Sequence, residues 1–99
     1  MIIVTVKFIV KQEKKVDFID AFNKVKPLVM KELGCKVYYL TRDLYRDNCF
    51  FLYEQWSTKM DLDLHMKTAH MKEFFSKTKD YFEQPYGVRQ FNVIEEKTN

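Results

Sequence analysis

The side chains best suited to moving protons lie between residues 53 and 70 of the sequence. Glu54 occupies a strand face that is otherwise apolar, and a carboxylate there either pairs with another group or has a raised pKa. Either state suits a general acid or base, although a structural hydrogen bond to a tyrosine, a histidine or the backbone explains the position equally well. Trp56 is more typical of a core than of a site, but its flat indole also suits the floor of a pocket for an aromatic molecule.

His65 and His70 follow on the predicted second helix. His65 lies on the apolar stripe of that helix, which places it under the sheet near Glu54, as either a hydrogen-bonded core residue or a proton carrier. Five residues separate the two histidines, so they project about 140° apart on a regular helix, whereas two metal ligands on one helix need a spacing of four. The sequence therefore predicts no metal site.

Composition excludes several other kinds of chemistry. The chain has only two glycines, Gly34 and Gly87, so it has no glycine-rich phosphate loop and a nucleotide-dependent enzyme is excluded. The net charge of +3 is spread along the chain, and the third predicted strand lacks the basic residue and glycine of an RNA-recognition strand. We therefore expect no nucleic-acid partner.

The expected location follows from hydropathy and cysteine content. No apolar stretch approaches the ~20 residues that span a bilayer, and no cleavable leader is visible, so we expect no membrane association. Two cysteines are too few for the disulfide framework of a small secreted domain, and both are expected to be small buried residues. These features favour a reducing cytoplasm.

The scaffold that must position these side chains follows from alternating and helical patterns. Alternating, β-branched runs predict strands at 2–10, 35–42, 48–56 and 88–94. Apolar residues at three- and four-residue steps predict helices at 16–33 and 57–75. Pro27 should bend the first helix or shift its boundary, Gly34 should end it, and the second helix is open to a break near Thr68.

The order β-α-β-β-α-β has a compact solution in the ferredoxin-like α+β fold, an antiparallel four-stranded sheet with two helices on one face. The 99 residues form one domain, 1–99, with a core at about 2–94 and a charged tail at 95–99. Both faces of the third strand are apolar, so the bare sheet face should pack against that of a second chain in a homodimer.

The hairpin between the second and third strands fixes where the thiols lie. If it turns at residues 45–46, Cys49 lies opposite Arg42 and Cys35 lies opposite Trp56. The two thiols are then too far apart for an intrachain disulfide.

Several short motifs together resemble the antibiotic biosynthesis monooxygenase (ABM) family, including its quinol monooxygenase members. They are ELGC at 32–35, FFLYEQWS at 50–57 and LDLH at 62–65, followed by His70 and Phe74. The resemblance covers about residues 2–94. It implies a dimeric ferredoxin-like α+β barrel with a pocket between sheet and helices.

The resemblance also implies a chemistry. Quinol-type members oxidise electron-rich aromatic substrates with dioxygen and hold neither metal nor flavin, because the deprotonated substrate itself supplies electrons to oxygen. The protein removes a proton and keeps the pocket dry. The residues that the resemblance implies are Glu54, His65 and His70 for proton handling and substrate orientation, Trp56 as a pocket wall, and Tyr39 or Tyr53 as donors to a substrate oxygen.

Three alternatives stay open. Related haem-degrading enzymes use an asparagine on strand one, where this chain has Thr5 and Lys7, so haem is the weaker cofactor assignment. Relatives that isomerise a phosphorylated, sugar-like molecule need convergent cations, for which the chain offers Arg42, Arg46 and Arg89. A dimeric ligand-binding or stress-related domain without turnover would keep the same fold.

Overall fold

Alternation along the first strand builds the sheet side of the core. In the computed structural model, which describes residues 1–98, the even positions of this strand are buried: Ile2, Val4, Val6 and Phe8. The four strands are β1 (Ile2–Ile9), β2 (Cys35–Arg42), β3 (Cys49–Trp56) and β4 (Gly87–Asn92). All pairs are antiparallel and the sheet order is β2-β3-β1-β4, so β1 and β3 are central and β4 is an edge.

Three helices cover the face of the sheet that carries those buried residues: α1 (Lys15–Val29), α2 (Lys59–Met66) and α3 (Ala69–Thr78). A short 3-10 turn, Gln12–Lys14, leads into α1, whose apolar stripe is buried against the sheet and α3. The ferredoxin-like α+β architecture is confirmed, with the second predicted helix divided in two. Within residues 1–98, no helix has the length and apolar character needed to cross a membrane.

The first helix ends earlier than its sequence pattern predicts. Pro27 lies inside α1, which stops at Val29, and Leu33 is exposed and not part of the apolar stripe. The predicted end near residue 33 is therefore wrong. After Val29 the backbone tightens to three-residue hydrogen bonds, as in the bond from the Glu32 amide to the Val29 carbonyl at 2.9 Å, so the helical repeat no longer holds.

A β-bulge in β2 changes the register of the hairpin. Cys35 lies opposite Trp56 as predicted, but one residue later the pairing shifts, so Arg42 lies opposite Phe50. The prediction that Cys49 faces Arg42 is wrong because the bulge adds one unpaired residue to β2. Both cysteines are free.

The shifted register decides which side chains of β2 face the helices, because a one-residue change moves a strand's side chains to the opposite face. Tyr38 lies opposite Glu54 and is buried on the helix side. Tyr39 lies opposite Tyr53 on the outer side and is 57% exposed. The bulge therefore brings next to Glu54 a tyrosine that uninterrupted pairing would have turned outwards.

The turn between α1 and β2 is held against the start of α2. Gly34 has a φ of 80°, in the left-handed region, and a Cβ added there would lie 2.1 Å from Oδ2 of Asp61. The Ser57 amide donates to the Gly34 carbonyl at 2.8 Å. Glycine alone combines this φ with this close approach, which fixes Glu32, two residues earlier, beside α2.

Thr68 separates α2 from α3. Its hydroxyl donates to the His65 carbonyl at 2.8 Å and accepts from the Met71 amide at 3.3 Å, so it closes α2 and caps the start of α3. Its backbone is extended, with φ −66° and ψ 150°. The break at Thr68 is confirmed, and residues on its two sides do not follow the angular spacing of one continuous helix.

Candidate active site

A cavity of about 300 Å³ lies between the sheet and the helix pair α2 and α3. Most of its lining is apolar and comes from both layers, including Val4, Val6, Phe8, Leu52, Met71 and Phe74. Small-molecule sites are commonly mostly apolar pockets of ~300–1,000 Å³ with a few convergent polar groups. The polar groups of this cavity are therefore the candidates for chemistry.

Glu54 lies on β3 at the closed end of the cavity and is 5% exposed. Its Oε1 accepts a hydrogen bond of 2.9 Å from Nε1 of Trp56. Burial raises the pKa of Glu54 to about 7, with the hydrogen bond from Trp56 opposing the rise and the charge of Glu32 adding to it. A carboxyl group with this pKa exchanges its proton near neutral pH, which is the range that acid–base catalysis requires.

His65 comes from α2 and lines the same cavity, with 2% of its surface exposed. Its Nδ1 lies 3.1 and 3.0 Å from the two carboxylate oxygens of Glu32, and its Nε2 lies 4.0 Å from Oε1 of Glu54. Burial lowers the pKa of His65, against the hydrogen bond and charge of Glu32, which raise it. A neutral ring that donates its Nδ1–H to Glu32 keeps the lone pair of Nε2 directed at Glu54.

Glu32 connects the two histidines. Its Oε2 lies 2.7 Å from Nε2 of His70, while both of its oxygens contact His65. Sequence reasoning did not select Glu32 as a site residue, although it begins the ELGC motif. The missing information was the break at Thr68, because two histidines that diverge on one continuous helix can reach one carboxylate when the helix is interrupted.

Two protonated groups of β2, Tyr38 and Cys35, lie close enough to Glu32 and Glu54 to feel their charges. Tyr38 lines the cavity, stacks on Phe22 and meets the edge of the His65 ring at 5.8 Å between centroids. Burial, followed by the charges of Glu54 and Glu32, raises the pKa of Tyr38 far above its ordinary value. Burial and the same two charges raise the pKa of the Cys35 thiol to about 11. Sequence alternation had not identified Tyr38, because its position depends on the bulge in β2.

The cavity opens on the side of β4. Val88 and Gln90 line it from that strand, and Val88 is 57% exposed. Lys59 and Asp63 form an ion pair on α2 and also line the cavity. Glu54 and His65 therefore lie at the buried end of the cavity, and its exposed end is bounded by an edge strand and a surface ion pair.

The structure places the six predicted site residues in different surroundings. Glu54 and His65 are brought together in the cavity, and His70 reaches them through Glu32. Trp56 is fully buried behind Glu54 and does not line the cavity. Tyr39 and Tyr53 lie on the outer face of the sheet, where Tyr53 accepts a hydrogen bond from Gln55, so neither lines the cavity.

The buried cluster consists of Glu32, Glu54, His65 and His70, and within it Nε2 of His65 lies too far from Glu54, at 4.0 Å, for a hydrogen bond. Among the described residues, every side-chain nitrogen and oxygen that is wholly shielded from solvent has a hydrogen-bond partner. Across the same residues, no group of three or more His, Cys, Asp or Glu side chains is arranged to hold a metal ion. The part of the cluster that a ligand in the cavity can contact is therefore the pair formed by Glu54 and His65.

Comparison with known proteins gives the chain a family. The family model described as antibiotic biosynthesis monooxygenase matches residues 1–77. The chain belongs to this family. The matched ABM region includes the four residues of the buried cluster, from Glu32 to His70, and ends before β4, so the open wall of the cavity lies outside it.

Two relatives are similar to this chain over most of its length. The chain is 30% identical over 89 residues to "Uncharacterized protein sll1783" of Synechocystis, covering 90% of this chain but 60% of that relative, so it spans less than two thirds of that protein. It is 27% identical over 95 residues to "Putative monooxygenase YcnE" of Bacillus subtilis, covering 96% and 100% of the two chains.

Solved structures reproduce the ABM fold. The structure called "Putative antibiotic biosynthesis monooxygenase from Nitrosomonas europaea" has a TM-score of 0.91 at 22% identity and covers 96% of this chain and 100% of that one. A conserved protein from Methanosarcina mazei Go1 has a TM-score of 0.87 at 26% identity, with 91% and 89% covered. The four-stranded sheet with its helix layer is thus the fold of these proteins.

Proposed function

We propose that this ABM protein is a cofactor-independent monooxygenase that oxidises a small, electron-rich aromatic or quinol-like substrate with dioxygen. The observation that carries the proposal is the pair formed by Glu54 and His65, two almost fully buried acid–base groups 4.0 Å apart at the closed end of an apolar cavity. An apolar pocket accepts an aromatic ring, and the pair accepts the proton of its hydroxyl group.

The 4.0 Å between Nε2 of His65 and Oε1 of Glu54 is longer than a hydrogen bond, so the lone pair of Nε2 is free to accept a hydrogen bond from a substrate hydroxyl. In the proposed reaction, the substrate hydroxyl donates to Nε2 and gives its proton to His65, and the nearby charge of the ionised Glu54 stabilises the resulting imidazolium. The phenolate that forms is a much better electron donor than the neutral phenol.

The overall reaction balances without another reductant. A ring C–H of the phenolate becomes a carbonyl, one oxygen atom of dioxygen is retained in the product quinone, and the other leaves as water. The substrate supplies all four electrons, and the departing oxygen takes up two protons, one returned by His65 and one released from the ring C–H. The protein's part is proton transfer and the exclusion of water, both of which suit a cavity whose walls are largely apolar.

Oxygen uptake tests the proposal directly. Chelator-treated protein is mixed with a panel of hydroxylated aromatics and quinols, and oxygen consumption is compared with that of the Glu54→Gln and His65→Ala variants. We expect consumption that survives chelation and is lost in both variants, each shown by circular dichroism to be folded. Unchanged turnover in both variants would rule out the proposed pair.

A homodimer is part of the same proposal. The outer face of the sheet carries Tyr39, Phe51 and Phe91 at 57%, 45% and 38% exposure, with Tyr53 between them. Apolar surface of this kind marks an interface, and two copies of one face close a two-fold dimer. Light scattering should give twice the chain mass, and Phe51→Lys should shift the protein to monomer.

Two further parts of the proposal concern location and the alternatives. Both cysteines are free and fit a reducing cytoplasm.

None of Arg42, Arg46 and Arg89 lines the cavity, which leaves a phosphosugar substrate without the expected cations. Thermal shift with quinols, haem and phosphosugars distinguishes these ligands, because a ligand that binds only the native state raises Tm.

A further inference from the structure

The inner and outer ends of the buried cluster differ in their access to solvent. Side-chain exposure is 2% for His65, 12% for Glu32 and 22% for His70. His70 also lines a small surface crevice between α1 and α3, together with Lys24, Glu73 and other residues. Glu32 therefore lies between a cavity-facing imidazole and an imidazole near solvent.

Glu32 controls what His65 presents to the cavity. Both of its oxygens lie within hydrogen-bond distance of Nδ1, so a carboxylate there requires Nδ1 to carry a proton. The neutral ring then has a single free lone pair, on Nε2, which faces Glu54. A carboxylate in this position selects the tautomer and stabilises the imidazolium formed on proton transfer, as in the carboxylate–histidine pairs of hydrolases.

His70 and Gly34 hold Glu32 in that position. His70 contacts Oε2 at 2.7 Å, which prevents the carboxylate from rotating away from His65. Gly34 anchors the turn that carries Glu32 to the start of α2, the helix that carries His65. The carboxylate of Glu32 is thus held by His70 of α3, and its backbone is held by the turn that Gly34 fixes against the start of α2.

We propose that Glu32 is the positioning residue of this site, with His70 as the group that fixes Glu32. Glu32 sets the tautomer of His65 and stabilises its protonated form, while His70 acts through Glu32 and does not touch the substrate. The expected effect on turnover rests on the proposed function. The tautomer of His65 does not, because it is a property of the protein without substrate.

The other titratable groups around His65 do not take over this task. Tyr38 and Cys35, from β2, have pKa values that burial raises still further above neutrality, so both stay protonated at pH 7. Glu54, from β3, faces Nε2 and not Nδ1. Lys59 and Asp63, at the cavity on α2, bind each other. Asp61, also on α2, lies against Gly34.

Nitrogen NMR of the imidazole rings and steady-state kinetics test the proposal together. Glu32→Gln retains a carbonyl that accepts the Nδ1–H of His65 but removes the charge, whereas Glu32→Ala removes both. Glu73→Gln is the matched control, because it neutralises an exposed glutamate near His70 without reaching His65.

We expect His65 in the wild-type protein to be the Nδ1–H tautomer at pH 7.5. Glu32→Gln should keep this tautomer but lower the pKa of His65 and reduce kcat by about 10- to 100-fold with KM within about twofold. Glu32→Ala should give mixed tautomers and a larger loss, and His70→Asn a smaller one. Glu73→Gln should change none of these quantities.

The result that would overturn the proposal is an unchanged tautomer and titration of His65 in folded Glu32→Ala protein. If no substrate is turned over by any variant while the tautomer follows Glu32 as expected, the proposed monooxygenase function fails and the positioning role stands. If turnover is found but is insensitive to Glu32→Gln and Glu32→Ala, the positioning role fails alone.

Discussion

The closed and open walls of the cavity differ in almost every physical respect. The closed wall is formed by Tyr38, Glu54 and His65, each at most 5% exposed and each fixed by packing or hydrogen bonds. The open wall is β4, an edge strand whose residues are all exposed. Rigid, desolvated groups suit chemistry, and exposed groups suit entry and selection of the ligand, so under the proposed function the two walls have separate tasks.

If this separation is correct, substitutions at the closed wall reduce kcat and substitutions at the open wall change KM. The largest effect is expected for Glu54→Gln, which keeps the size of the side chain but removes its charge. The expected loss in kcat/KM is roughly 10²- to 10⁴-fold, the usual contribution of acid–base catalysis.

The pH dependence sharpens the same test. Because the proposed reaction needs ionised Glu54, kcat/KM of the wild-type protein should rise with pH through a midpoint near 7 and then level off. The Glu54→Gln variant should lack this rise. Glu13→Gln, on the exposed 3-10 turn, is the matched control and should follow the wild-type profile. A profile in Glu54→Gln identical to the wild type would assign the titration to another group.

The two glycines of the chain give a matched comparison of the two walls. Gly34→Ala introduces a Cβ at a φ of 80° and against Asp61, so it should lower the free energy of unfolding by about 1–3 kcal/mol and reduce kcat by displacing Glu32. Gly87→Ala, on β4, places its Cβ in open space and should leave both nearly unchanged. Urea denaturation and oxygen uptake measure the two quantities, and equal effects at both glycines would contradict the comparison.

Trp56→Phe tests the hydrogen bond behind the closed wall. The indole N–H stabilises the carboxylate form of Glu54, so its removal should raise the pKa of Glu54 further. The midpoint of the rise in kcat/KM should therefore move to higher pH, by about one unit or less. A midpoint that moves to lower pH, or does not move in a folded variant, would show that Trp56 does not tune Glu54.

The smallest effect is expected at the open wall. Val88→Ala removes two methyl groups that line the cavity but are already largely in contact with solvent. KM should rise by a few-fold and kcat should stay within about twofold, because burial of a partly exposed side chain contributes little. A loss of kcat comparable to that in Glu54→Gln would mean that β4 takes part in the chemistry.

Sequence patterns predicted those features that depend on neighbouring residues along one element. Alternation in β1 and β3 gave the correct buried faces, and the apolar stripe of the second helix correctly placed His65 under the sheet near Glu54. The features that were missed depend on irregularities. A single bulge in β2 turns Tyr38 towards the helices and Tyr39 towards the outer face of the sheet. No pattern of residue types here distinguishes a bulged strand from a regular one.

Glu32 was missed for a related reason. Its partners come from two helices that the sequence presents as one periodic segment, and its own position depends on a turn in which α1 has already ended. Gly34, two residues after Glu32, was a local indication of a constrained turn. The sequence alone does not show that Asp61 lies against this glycine and excludes a side chain there.

The break at Thr68 also has a consequence for the order in which the protein folds. It leaves helices of eight and ten residues, and isolated helices shorter than ~12–15 residues are marginal in water. We therefore expect each helix to be stable only after it docks on the sheet, so that His65 and His70 reach Glu32 late in folding. The imidazole signals of these two histidines would then report complete native assembly, and hydrogen exchange should find α2 and α3 opening before the central strands β1 and β3.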